Sequence, residues 1–215
     1  MAESVRQRSA LAPPAGGKAR RTFESLVAAT RQLVNETGGF TPETVAARTG
    51  VRTATFYAYF ASRDEALAAA LDQVLAELDE RVGAGLAIEN LLDEGMHMVI
   101  RQAVETAVAC FSADVLVYRL ALARLPESAV IREVYRRRQA QGFLQIRRFV
   151  ELGTAAGRID DADPDVLATA LLVGLQGLNN PLLLGPRRSA AVVDRLVAML
   201  VALLQPARTP QPVQP

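Results

Sequence analysis

Apolar residues recur at three- and four-residue intervals along nearly the whole chain, the period of helices with a buried face. In the first such stretch Phe23, Leu26, Val27, Thr30, Leu33 and Val34 share one stripe. They predict a helix over about 18–36 that Gly38-Gly39 stops. Thr41-Pro42 reads as an N-cap and first-turn pair, opening a short helix over 42–49 with Val45 and Ala46 facing inward. Gly50 supplies a turn, and a third short helix follows over about 52–59. Ser62 caps a longer fourth helix. Asp64 and Glu65 stand in its first turn, where the helix dipole favours acids, and Leu67, Leu71, Val74, Leu75 and Leu78 form its apolar face.

Beyond Gly83 the pattern predicts five more helices, over 88–109, 112–125, 127–156, 163–180 and 187–204. The breaks fall at Pro126, at 157–163, and between Pro181 and Pro186. These segments are apolar on more than one stripe, so they are expected to be buried on more than one side. Strand-like alternation and Asn-Gly or Asp-Gly hairpin signals are absent. The fold class read from the chain is all-α, with about nine helices: a three-helix helix-turn-helix domain over 18–62 and a helical bundle domain over 63–204. Residues 1–17, with Pro13-Pro14 and Gly16-Gly17, read as a disordered basic arm, and the Pro- and Gln-rich 205–215 as a disordered tail.

Composition narrows the function classes. Half of the 215 residues are apolar and 22% are charged, as in ordinary globular domains. No apolar run is long enough to span a bilayer, and Arg6 and Arg8 are not followed by the apolar core of a secretory signal. The single cysteine, Cys110, permits no intrachain disulfide, and a cytoplasmic location without membrane contact is expected. The lone histidine, His97, and one cysteine make no metal site. With one Glu-x-x-His, Glu94 to His97, where a di-iron site takes two, and without a Gly-rich phosphate loop or a Ser/His/Asp set, neither an enzyme nor a cofactor is expected. Charge is unevenly spread. Up to Arg63 the chain carries nine Lys and Arg against four acids, a net of +5, leaving 15 basic against 19 acidic residues beyond it. A basic first third on an acidic remainder fits a DNA-contacting module joined to one that does not touch DNA.

The stretch from Thr41 to Phe60, TPETVAARTGVRTATFYAYF, carries the most information. Two short helices about a Gly turn form a unit whose second helix can enter the major groove. Val45, Ala46, Val51 and Phe56 are spaced to pack the pair. Arg52, Thr53, Thr55, Tyr57 and Tyr59 are left as hydrogen-bonding side chains for phosphates and base edges.

This region resembles the TetR/AcrR family of transcriptional regulators. The run Gly50-Val51-Arg52-Thr53-Ala54-Thr55-Phe56-Tyr57-Ala58-Tyr59-Phe60, then Ala61-Ser62-Arg63-Asp64-Glu65-Ala66-Leu67, matches the family's pattern closely, and the resemblance is strong over about residues 20–70. It implies phosphate contacts from Thr41, Tyr57, Tyr59 and Arg63, groove-facing Thr53 and Thr55, and core roles for Phe56 and Phe60. Two positions depart from the pattern. Arg52 replaces a capping Ser, giving up the cap for a guanidinium able to pair with a guanine, and Ala54 replaces a Gly, holding the backbone farther from DNA.

In the second domain His97, Met98, Phe111, Tyr118, Tyr135 and Phe143 are candidate lining for an apolar effector pocket, with core filling as the plainer alternative. Arg132, Arg136, Arg137, Arg138, Arg147 and Arg148 crowd one helix. They read as solvated or locally paired, or else as holding an acidic ligand head group. The last two helices, with Leu167, Leu171, Gly174 and Leu178 and then Val193, Leu196, Val197 and Leu200, read as a homodimer seam. The partners expected are double-stranded operator DNA, a small-molecule effector and a second copy of the chain. The function expected is a repressor released by a small, largely apolar ligand, with a ligand-responsive activator or a helical adaptor without DNA binding as alternatives.

Overall fold

The apolar stripe that predicts the first helix is buried in full: Phe23, Leu26, Val27, Thr30, Leu33 and Val34 all face inward. The computed structural model describes residues 13–184 and 190–205, which form helices and connecting turns with no strand among them. In chain order the helices are α1 (Gly17–Thr37), α2 (Pro42–Thr49), α3 (Thr53–Tyr59), α4 (Arg63–Gly85), α5 (Ile88–Glu94), α6 (Met96–Ala113), α7 (Val115–Arg124), α8 (Ala129–Ala155), α9 (Pro164–Gln176), α10 (Pro181–Leu184) and α11 (Ala190–Leu204). A 3-10 turn at Gly177–Asn179 precedes α10. The arm expected over 1–17 lies outside the described residues up to 12. The tail beyond 205 and the start of the last predicted helix at 187–189 also lie outside them.

The all-α class is as expected, but the helix count differs. The single helix predicted over 88–109 is two, because Gly95 sits at φ 83, ψ 162, a backbone region open to glycine almost alone. Apolar periodicity runs through the break, with Leu91 and Met96 both buried, so the pattern does not reveal it. Gly95→Ala is expected to cost about 1–3 kcal/mol in chemical denaturation through backbone strain, since a Cβ there meets no neighbour within 4 Å.

The chain forms two compact units. The first comprises residues 13–76 and 114–138, so α7 and the first part of α8, read from the sequence as bundle, pack with the N-terminal helices. Its core holds the α1 stripe together with Phe56, Phe60, Leu67 and Leu71. A hydrogen-bonded ion pair ties α1 to the start of α7. Arg31 donates from Nε and Nη2 to the two carboxylate oxygens of Asp114, both at 2.7 Å, and Asn35 Nδ2 adds a third bond at 2.8 Å. Asp114 is almost fully buried. In the same unit Arg137 and Arg138 both bond Asp72, at 2.7 and 2.6 Å. Burial raises the Asp72 carboxyl, and the bonds and charge of the two arginines outweigh it and hold the group below its ordinary value.

The second unit spans 77–113 and the described residues from 139 onward, with α6 at its centre against α5, α10, α11 and the 3-10 turn. Val99, Ile100, Ala103, Val104, Ala107 and Val108 supply the buried face of α6. No single helix among the described residues is long and apolar enough to cross a membrane.

Candidate nucleic-acid interface

Local chemistry sets the geometry of the helix pair. Thr41 caps α2 in a reciprocal box: its side chain accepts from the Thr44 N–H at 3.2 Å, and the Thr44 hydroxyl oxygen accepts from the Thr41 N–H at 2.9 Å. At the other end Gly50 takes the left-handed conformation, φ 69, and Val51 N–H reaches the Ala46 carbonyl at 3.0 Å. The chain thus reverses within two residues and α3 starts at Thr53. Arg52 stands at its N-cap and makes no side-chain capping bond, as the loss of the usual Ser predicts. Ser62 then opens α4: its Oγ accepts from the Glu65 N–H at 3.2 Å, while the Glu65 carboxylate accepts from the Ala61 N–H at 2.7 Å.

Packing divides the side chains of α3. Phe56 and Phe60 are fully buried, 5.3 Å apart between ring centroids, and Phe60 meets Phe23 of α1 at 5.4 Å. Positions 53, 54, 57 and 58 lie on one helical face; Tyr57 is 53% exposed, and Ala54 and Ala58 are exposed beside it. Arg52 is exposed at the head of this face, with Thr53 half-buried. Thr55 and Tyr59, one turn apart, are half-buried on the flank, and the Tyr59 ring stands 6.4 Å from Phe23. Tyr57 is held edge-on to Phe56 at 5.5 Å. Thr41 and Arg63 are exposed at the starts of α2 and α4. All seven candidate DNA-contacting residues therefore lie in the first unit at or near its surface.

Charge surrounds the pair. Arg48 of α2 forms a two-bond fork with Glu36 of α1, both at 2.7 Å, which ties the two helices across their loop. The carboxyl of Glu43 is held below its ordinary value by hydrogen bonds from its own backbone N–H and the Thr41 hydroxyl, against a desolvation cost, with the Arg63 charge adding to them. The guanidinium carbon of Arg63 lies 5.3 Å from the centroid of the Phe40 ring. Sequence reasoning passed over Phe40, which stands between the Gly38-Gly39 stop and the Thr41 cap and reads there as part of a break.

The effector candidates fare differently. Phe111 and Tyr118 are buried, Tyr135 and Phe143 half-buried, and His97 and Met98 exposed. The register of α6, which begins at Met96, turns Met96, Val99 and Ile100 inward and 97 and 98 outward. Tyr118 and Tyr135 belong to the first unit and the other four to the second. A cavity of about 510 Å³ in the first unit is lined by Phe23, Val27, Ala69 and Asp72 among others, and one of about 390 Å³ in the second by Leu91, Met96 and Arg158 among others. None of the six candidates lines either. The Arg-rich helix does not converge on a site. Arg132 bonds the carbonyls of Leu125 and Pro126, Arg137 and Arg138 bond Asp72, Arg147 pairs with Glu151 and Asp165, and Arg136 and Arg148 are exposed.

The dimer candidates are mostly inside the single chain. Leu167, Leu171, Leu178, Val193, Val197 and Leu200 are buried within a single chain, and Leu196 is half-buried. Gly174 faces Leu200, whose Cδ2 would stand 2.6 Å from a Cβ added there. These residues lie within the packing of one chain, where α11 meets both α6 and α9. The apolar side chains these helices leave outside are Val166 (61% exposed), Val173 (61%), Val192 (47%) and Met199 (56%).

No protein-family model and no curated protein matches the sequence. Solved structures do match the fold. A protein of Mesorhizobium loti assigned to the TetR-family transcriptional regulators aligns with a TM-score of 0.69 at 16% identity, over 87% of this chain and 96% of that one. A TetR transcription regulator from Haloarcula marismortui aligns at 0.67 and 16%, over 86% and 98%. A protein of Saccharomonospora viridis assigned as a transcriptional regulator, solved in complex with choline, aligns at 0.63 and 20%, over 84% and 93%.

Proposed function

We propose that this chain, which has the fold of the solved TetR-family transcriptional regulators, is a sequence-specific DNA-binding regulator. The observation that carries the reading is the exposed face of α3: a capped, glycine-turned helix pair presents Arg52, Thr53 and Tyr57 outward over a buried Phe56 and Phe60. Thr41 and Arg63, at the starts of α2 and α4, add donors of the kind that contact phosphates and position a protein on DNA. Residues 18–62 would contact DNA in the cytoplasm, and 63–204 would sense a ligand and dimerise.

The regulator acts as a homodimer, because a palindromic operator needs two recognition helices about one DNA turn apart, ~34–36 Å. The outer apolar residues of α9 and α11 supply the surface for it. A small, largely apolar ligand in the second domain would release it from its operator, by favouring a dimer whose spacing no longer fits. The Saccharomonospora viridis protein, solved in complex with choline, supports a small-molecule ligand for a protein of this fold. The pairing of four of the six arginines of α8 with carboxylates or carbonyls removes support for an acidic effector.

Anisotropy titrations against promoter DNA over a range of salt test the reading. The chain should bind with a steep salt slope and select particular sequences. Tyr57→Phe and Arg63→Ala should weaken binding to every sequence, and Arg63→Ala should lower the salt slope by about one. Arg52→Ala should in addition relax base preference, at a cost of about 1–3 kcal/mol on the preferred site. Equal loss of selectivity in all three variants would contradict the division of roles, and no sequence-selective binding at all would mark the chain as an adaptor.

A further inference from the structure

Arg63 is the first residue of α4, and its side chain is exposed. An exposed arginine ordinarily samples many rotamers, so a phosphate contact made with it costs the entropy of fixing them. Here the guanidinium carbon lies over the Phe40 ring, 5.3 Å from its centroid. That ring is itself fixed: Phe40 is 6% exposed and directly precedes Thr41, which is locked into the α2 capping box. Glu43 and Asp64 act on Arg63 through charge across space. The attraction between the cation and the ring restrains the guanidinium, whose N–H groups are the donors a phosphate takes.

We propose that Phe40 is a positioning residue for DNA binding: its ring holds the Arg63 guanidinium in place so that its N–H groups meet a backbone phosphate beside Thr41. Phe40 touches no DNA and acts through Arg63. The inference rests on the DNA-binding reading above and adds to it a residue that no motif position singles out. Its energetic content is preorganisation, so it belongs to the pair and vanishes when the arginine is gone.

A double-variant cycle tests it, using the full chain and a mixed-sequence DNA duplex, since phosphate contacts contribute to binding without an operator. Phe40→Leu should weaken binding about two- to fivefold with the thermal midpoint checked in parallel, and Phe40→Tyr or Phe40→Trp should restore it. In an Arg63→Ala background, Phe40→Leu should have no further effect on affinity. Phe40→Met, closer in volume, serves the same comparison if the leucine variant does not fold. An equal loss with and without Arg63 would make the ring merely structural and overturn the proposal, as would Phe40→Leu binding like the parent. If the parent chain itself shows no salt-dependent binding to duplex DNA, the DNA-binding reading falls first. Salt-dependent binding combined with an additive cycle overturns the role of Phe40 alone.

Discussion

Replacing Asp114 with Ala is expected to lower the unfolding free energy by about 3 kcal/mol, toward the low end of what breaking a buried ion pair costs. The carboxylate takes three hydrogen bonds, two from Arg31 and one from Asn35, at 2.7–2.8 Å. Its side chain is 4% exposed, while that of Arg31 is 22% exposed. Truncation therefore takes from the Arg31 guanidinium and the Asn35 amide the acceptor they share, and partial access of Arg31 to water keeps the loss from reaching the upper end of the range. In a chain of this length the thermal midpoint should fall by roughly 6–12 °C. The pair is not expected to be strongly stabilising against an apolar substitute, because two charges had to leave water to form it. Arg31→Met combined with Asp114→Leu should accordingly recover much of the loss. If the single variant melts within a degree or two of the parent, the pair is not holding α1 to α7.

The same pair shows where sequence reading stops. Arg31 and Asp114 are 83 residues apart, and no local pattern marks them as partners. What was legible was local: the α1 stripe, the Thr41 cap, the Gly50 turn and the Phe56–Phe60 spacing each depend on residues within one or two helical turns. Gly95 was not legible as a break. Glycine inside an apolar period is tolerated in a helix, and only its φ of 83 distinguishes the two cases. The outward turn of His97 and Met98 follows from that break, so it was lost with it. Periodicity also counts apolar faces without saying which neighbour each face meets. On α9, Leu167 and Leu171 on one side and Val166 and Val173 on another are equally apolar; the first pair faces its own chain and the second does not. Phe40 was missed for a related reason, because its partner Arg63 is 23 positions later and its own position reads as a break.

If the chain forms the homodimer proposed above, Val173→Asp should convert it to a monomer without unfolding it, and this is the largest functional effect expected of a single change outside the DNA-contacting surface. Val173 is 61% exposed in the single chain and stands next to Gly174, where α9 packs closely on Leu200 of α11. A charge there meets water in the monomer, so its cost to folding should stay within about 0.5 kcal/mol. In a dimer built on Val166, Val173, Val192 and Met199 the same carboxylate would be buried twice, once from each subunit across the two-fold axis, with no cation among these four residues to pair it. Loss of the dimer separates the two recognition helices. Each monomer then binds a half-site alone, and operator affinity should fall by roughly a hundredfold or more, the scale on which linked sites exceed single ones. Leu171→Asp is the contrasting change. Leu171 is fully buried within the chain, so a charge there should destabilise the monomer itself and lower the thermal midpoint before assembly is affected. Sedimentation equilibrium with parallel thermal melts separates the two outcomes: a Val173→Asp protein that remains dimeric would move the subunit interface off this face of α9, while one that unfolds would make Val173 part of the core.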